Sequence, residues 1–216
     1  MEEKKLLYTK QCRPLQYFLK QSKNPAMLLR YARHFILTMA ISESFFTRSV
    51  CNYSYLLFPD FMEKILSVME FYSRNVSNDI VGFFETYRSN ERQLQVYNAG
   101  ASKVKAYGMH YYGIAVDIIN FKNHIPRWNL DYNILVKAVQ DIGLTSLRPY
   151  EDCHVQFIPI SMQQDWRDFT DNLTKIVQDL LNCKVDGKLG PITMGAILMS
   201  EQRLKEYFDS IKISEL

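Results

Sequence analysis

Two stretches of this chain carry side chains that bind metal ions: His110 and Asp117 in one, Glu151 and His154 in the other. From Gly113 onward, Ile114, Val116 and Ile118 alternate with Gly113, Ala115 and Asp117. That is the pattern of a half-buried strand with an apolar face and a carboxylate on the open face. The second stretch repeats it, with Val155 and Phe157 on a core side and His154 and Gln156 opposite. If the two strands are neighbours in one sheet, and His110 lies just before the first, two imidazoles and one carboxylate converge on one cation. Two nitrogens and one oxygen suit zinc, and three protein ligands leave a fourth position for water, as catalytic rather than structural sites do. The small residues Gly113 and Ala115 keep the surrounding face open.

Zinc in such a site polarises a carbonyl and lowers the pKa of water towards about 7. A carboxylate three residues before His154, in the turn entering the strand, can take the water's proton without becoming a ligand. Glu151 stands there and Asp152 competes for the role. Arg88 ends a strand-like run, Asp79 to Tyr87, and offers a guanidinium for a substrate carboxylate or for the negative oxygen formed in the reaction. Cys153 adjoins His154, but in a strand it leaves on the opposite face, which argues against a ligand or nucleophile. His34, in a helical stretch, reads as a packing or surface residue, and His124 as an exposed loop or substrate-rim residue.

The spacing His-x-x-Gly-x-Ala-x-Asp (His110, Gly113, Ala115, Asp117) followed by Glu-x-x-His (Glu151, His154) resembles the zinc peptidases of the D-alanyl-D-alanine carboxypeptidase and L-alanyl-D-glutamate endopeptidase family, which cut the peptides of bacterial peptidoglycan. Upstream, Glu85 to Gln93 resembles the same family's Gly-Tyr-Arg-Ser-x-x-Arg-Gln signature. The resemblance covers roughly residues 53 to 165. It implies Zn2+ held by His110, Asp117 and His154, Glu151 rather than Asp152 as the base, and a functional role for Arg88. Arg92 reads as structural and Glu91 as locally paired. Gly108 stands where many relatives have serine, and Cys153 where proline is often found. A second segment, Asp186-Gly187-Lys188-Leu189-Gly190-Pro191-Ile192-Thr193, resembles the repeat of small three-helix peptidoglycan-binding domains.

The elements that must hold these residues follow from periodicity. Pro59 opens a helix running towards Ser73, with Phe61, Ile65, Leu66 and Met69 as its buried stripe. A short helix spans Asn90 to Asn98. Asp131 leads a helix with Leu135, Val136, Val139 and Ile142, ended by Gly143. Tyr107, Tyr111, Tyr112 and Trp128 are candidates to line a cleft. Ahead of them, Leu6, Leu7, Leu15, Phe18 and Leu19 suit helical faces, and Pro25 begins a further helix carrying Met27, Tyr31, Phe35 and Ile36. Towards the C-terminus, Gly187 and Gly190 permit a tight turn, Pro191 starts a helix, and Ala196, Ile197 and Leu198 help bury it. The expected architecture is α+β: a small antiparallel sheet with flanking helices carrying a zinc site over 53–165, a helical extension over 1–52 and a three-helix module over 166–216.

Composition narrows the function. An apolar fraction of 47% and a charged fraction of 23% are ordinary for a globular chain of 216 residues. Lys+Arg 26 against Asp+Glu 23 gives a net charge of +3, which makes no electrostatic case for nucleic acid. Cys12, Cys51, Cys153 and Cys183 form no Cys-x-x-Cys pair and read as reduced thiols. Without an apolar run after the charged N-terminus there is no secretory signal, and the apolar run from Phe35 to Ser42 is too short to span a bilayer. The expectation is synthesis in the cytoplasm, no stable membrane insertion, and action on the cell wall after release, as in a phage endolysin. The resemblance implies peptidoglycan as the partner, cut as by an L-alanyl-D-glutamate endopeptidase. The alternatives are a D-alanyl-D-alanine carboxypeptidase, or a noncatalytic wall-binding protein on the same scaffold.

Overall fold

The structure, a computed structural model, describes residue 19, residues 22–39, residue 42, residues 48–76 and residues 80–211. Expectations resting on Leu6, Leu7, Cys12, Leu15, Phe18 and Asp79 lie outside the described residues. In chain order the main elements are α1 (Pro25–His34), α2 (Pro59–Asn75), β1 (Ile80–Glu85), α3 (Asn90–Asn98), β2 (Ala115–Lys122), β3 (Ile125–Arg127), α4 (Tyr132–Asp141), β4 (Thr145–Leu147), β5 (Glu151–Gln156), α5 (Gln163–Leu180), α6 (Pro191–Met199) and α7 (Glu201–Asp209). They fall into two compact units. One is Phe45–Gln163; the other joins the described part of Met1–Ser44 to Gln164–Leu216.

The first unit is α+β, with a small antiparallel sheet ordered β1-β2-β5-β4 and β3 paired to β2. Its helix α2 begins at Pro59, whose fixed φ suits a first helical turn. The buried stripe is Phe61, Ile65, Val68 and Tyr72, while Leu66 is half exposed. Spacings of four, three and four residues keep one face, which Leu66 leaves. The Tyr72 hydroxyl accepts from the Asp131 backbone N–H at 2.6 Å, and Asp131 in turn caps α4 by accepting from Asn133 and Ile134. Leu135 and Val139 of α4 are fully buried; Val136 and Ile142 are only partly so. Each full burial of such a side chain is worth about 1.5–3 kcal/mol.

Strand β2 departs from the half-buried expectation, because Ala115, Asp117 and Ile119 are buried as well as Val116 and Ile118. It is an inner strand, and the 3-10 turn Met109–Tyr112 packs on it. Strands β3 and β4 were not expected from the pattern. The former arises because Asn123 and His124 take positive φ (54° and 62°), the conformation that closes a two-residue hairpin. His124 therefore sits exposed at a hairpin tip.

The second unit draws described residues from both sides of the boundaries expected at 52/53 and 165/166. Its N-terminal helix and C-terminal helices share one core. Tyr31 of α1 lies edge-on to Trp166 of α5 at 4.5 Å, with Phe169 at 6.3 Å, and Arg33 pairs with Asp209 at 2.6 Å. The Asp-Gly-x-x-Gly-Pro-x-Thr segment is organised by one buried amide. Gln178 donates to Asp186 Oδ1, the Lys188 carbonyl and Thr193 Oγ1, and accepts from the Asp186 and Gly187 N–H groups. Gly187 supplies the positive φ of 75° that this turn needs. Ile197 is buried, but Leu198 faces outward.

Candidate metal centre

The site is assembled by strand register. Asp117 on β2 lies opposite His154 on β5, and on its other side opposite Glu85 on β1. A bulge between Phe83 and Glu85 brings Glu85 into that row. His110 comes from the 3-10 turn Met109–Tyr112, which Gly113 ends with φ 66°. The Gly113 N–H donates to the His110 carbonyl at 3.2 Å, and the Gly113 carbonyl accepts from Phe58 N–H at 2.8 Å. Gly113 thus sets the turn that presents His110, a more specific task than leaving a face open.

Three ligand atoms meet. His110 Nε2 is 3.3 Å from Asp117 Oδ1, His154 Nδ1 is 3.2 Å from the same oxygen, and the two nitrogens are 3.2 Å apart. All three side chains are buried. A tetrahedral ion with ligands at about 2.0–2.1 Å needs ligand-to-ligand edges of about 3.3–3.4 Å. Protons on both inner nitrogens would crowd each other at one oxygen, whereas protons on the outer nitrogens leave three lone pairs facing one point. A cation at that point removes the inner conflict, so the donor set fits a divalent metal. The outer atoms, His110 Nδ1 and His154 Nε2, are buried and have no hydrogen-bond partner among the described residues.

The protonation states suit ligands too. Burial foremost, with Arg88 and His154 adding to it, lowers the His110 pKa and keeps the imidazole neutral, against the pull of Asp117. Burial alone would raise Asp117, but His110 and His154 hold its carboxyl well below the usual carboxylate range.

Arg88 is buried and its guanidinium is engaged. Nε and Nη2 both reach Glu85 Oε2, at 2.8 and 2.6 Å, and Nη2 also donates to Asp117 Oδ2 at 3.0 Å. Nη1 donates to Gln93 Oε1 at 3.3 Å. Asp117 therefore turns one oxygen to the histidines and the other to Arg88. Arg92 Nε reaches Glu85 Oε1 at 3.2 Å, and Glu91 pairs with Arg48. A Cβ on Gly108 would stand 2.9 Å from Gln93 Oε1, so a serine there would displace the side chain that steadies Arg88. Glu85 and Gln93 carry no role in the sequence reading. The signals available were a carboxylate ending an apolar strand three residues before Arg88, and a glutamine one helical turn beyond Ser89.

Glu151 Oε2 lies 3.5 Å from His154 Nδ1, and its side chain is about a third exposed (35%). In a regular strand, residues three apart face opposite ways. Here β5 begins at Glu151 itself, and an irregularity opposite Ser146 and Leu147 turns Glu151 to the side of His154. Asp152 is more exposed and pairs with Arg148 at 3.1 Å. Burial, then Asp117 and Glu151, push the Cys153 thiol up, so it stays protonated and outside the ligand group. Tyr111 and Tyr112 are buried packing residues, whereas Tyr107 and Trp128 are exposed, Trp128 lying edge-on to Phe84.

No family profile and no curated protein matches the chain. Among solved structures it is similar to the L-Ala D-Glu endopeptidase ChiX of Serratia marcescens, with a TM-score of 0.38 and 21% identity, over 51% of this chain and 84% of that one. No helix among the described residues is long and apolar enough to cross a membrane.

Proposed function

We propose that this protein hydrolyses peptide bonds of bacterial peptidoglycan in a zinc-dependent reaction, with the L-alanyl-D-glutamate bond as its target. The observation that carries the hydrolytic reading is the triangle of His110 Nε2, Asp117 Oδ1 and His154 Nδ1 with Glu151 beside it but outside it. The substrate reading rests on the His-x-x-Gly-x-Ala-x-Asp and Glu-x-x-His spacing and its resemblance to the wall peptidases. Release to the wall in the manner of an endolysin belongs to the same proposal.

When bound, zinc supplies Lewis acidity to the scissile carbonyl and acidity to water. His110, Asp117 and His154 would hold it, with the His110 imidazole kept neutral by burial and the Asp117 carboxylate ionised. Glu151, partly exposed, accepts a proton from water and returns it to the leaving amine. Arg88 fixes the Asp117 carboxylate through Oδ2, so its contribution to the reaction is first of all orientation of a ligand.

Digestion of purified peptidoglycan with and without a chelator, followed by mass spectrometry of the released peptides, tests this reading. New D-glutamate amino termini that vanish on chelation support it. Release of terminal D-alanine alone would assign the carboxypeptidase reaction instead, and binding without metal-dependent cleavage would make the protein noncatalytic.

A further inference from the structure

The row Glu85, Asp117, His154 places two buried carboxylates directly opposite each other on neighbouring strands, a pairing that is unfavourable without a cation between them. Arg88 fills that place, with Nη2 2.6 Å from Glu85 Oε2 and 3.0 Å from Asp117 Oδ2. We infer that Glu85 is a positioning residue of the metal centre: it neutralises Arg88, so that the guanidinium can clamp Asp117 without repelling a divalent cation held on the other oxygen.

Arg88 alone would do two opposed things. Its hydrogen bond fixes the Asp117 plane and directs Oδ1 at the histidines, which favours metal binding. Its positive charge, buried on the far side of the same carboxylate, opposes a dication, and low-dielectric surroundings magnify that opposition. Glu85 is fully buried and accepts from Arg88 through both Nε and Nη2. It leaves the hydrogen bond to Asp117 in place while offsetting the charge behind it. Arg92, the second partner of Glu85, is 22% exposed, so water screens its charge more than that of Arg88. Gln93 steadies Arg88 without charge: its Oε1 accepts from Nη1 while its amide group donates to Ser102 Oγ and the Val104 carbonyl.

This inference rests on the reading of His110, Asp117 and His154 as metal ligands. The test is zinc affinity of the full chain, measured by chelator competition, for wild type, Glu85→Gln, Arg88→Gln and the double variant, each checked for folding by circular dichroism. Glu85→Gln is expected to weaken zinc binding about tenfold or more, within the roughly 10–100-fold range of residues supporting a ligand. In the Arg88→Gln background the same change should alter affinity by less than about twofold, because the charge Glu85 offsets is gone. Unchanged affinity in Glu85→Gln, even with lowered thermal stability, would reduce Glu85 to a fold residue and overturn the inference. An equal loss in both backgrounds would overturn action through Arg88. If Glu85→Gln does not fold, Glu85→Ala replaces it in both backgrounds and the same two outcomes decide. Wild type that binds no zinc loses the metal reading itself and the inference with it.

Discussion

Glu151 stands beside the ligand triangle without belonging to it, so removing its charge separates the chemistry from metal binding. Glu151→Gln should lower hydrolysis by about 10²–10⁴-fold, the range for a lost general base, while zinc measured by atomic absorption stays at the wild-type level. Undiminished hydrolysis would end the role given to this residue. His110→Ala has a different expected signature: zinc content and hydrolysis fall together, because Nε2 is one corner of the triangle. The candidate ligands were legible as residues because alternation around Asp117 and His154 exposes the side on which each projects. Glu85 was not, since a single carboxylate in Ile80–Glu85 gives no sign that a bulge will set it opposite Asp117.

Turns and short elements decide how well the row is held. Gly113→Ala would force a side chain into φ 66°, at a cost of roughly 1–2 kcal/mol. Because the same turn carries His110, the variant should lose zinc affinity along with thermal stability. Zinc binding at the wild-type level would show that the turn absorbs the change elsewhere. In the other unit, Gln178→Ala deletes an amide whose nitrogen and oxygen lie within hydrogen-bond distance of five groups in Asp186–Thr193. A loss of about 2–4 kcal/mol is expected by denaturant titration, with zinc affinity unmoved. The longer elements α2 and α4 were readable from their apolar stripes, and Asp131 at the head of α4 and Gly143 after it lie in the sequence itself. Strands β3 and β4, three residues each, hold too few positions for a period to register. The irregular start of β5 is likewise invisible, because the strand rule puts Glu151 and His154 on opposite faces.

At the scale of the whole chain, the site-bearing unit is continuous and the other is not. Removing residues 166–216 alone should leave Tyr31 without Trp166 and Phe169, giving a protein that aggregates. Removing both ends to leave 45–163 should give a soluble fragment that still binds zinc. If the single truncation behaved as well as the double one, as size-exclusion chromatography would show, the shared core of α1 and α5 would be refuted. That association could not be read from local pattern, since Tyr31 and Trp166 are linked by packing across most of the chain. The discontinuity also sets an order of events on the ribosome. Synthesis of the roughly 120 residues between the two halves takes about 6–24 s at about 5–20 residues per second. Throughout that interval the helices that α1 packs on do not yet exist, so the sheet can close first and the end-joined core forms after it.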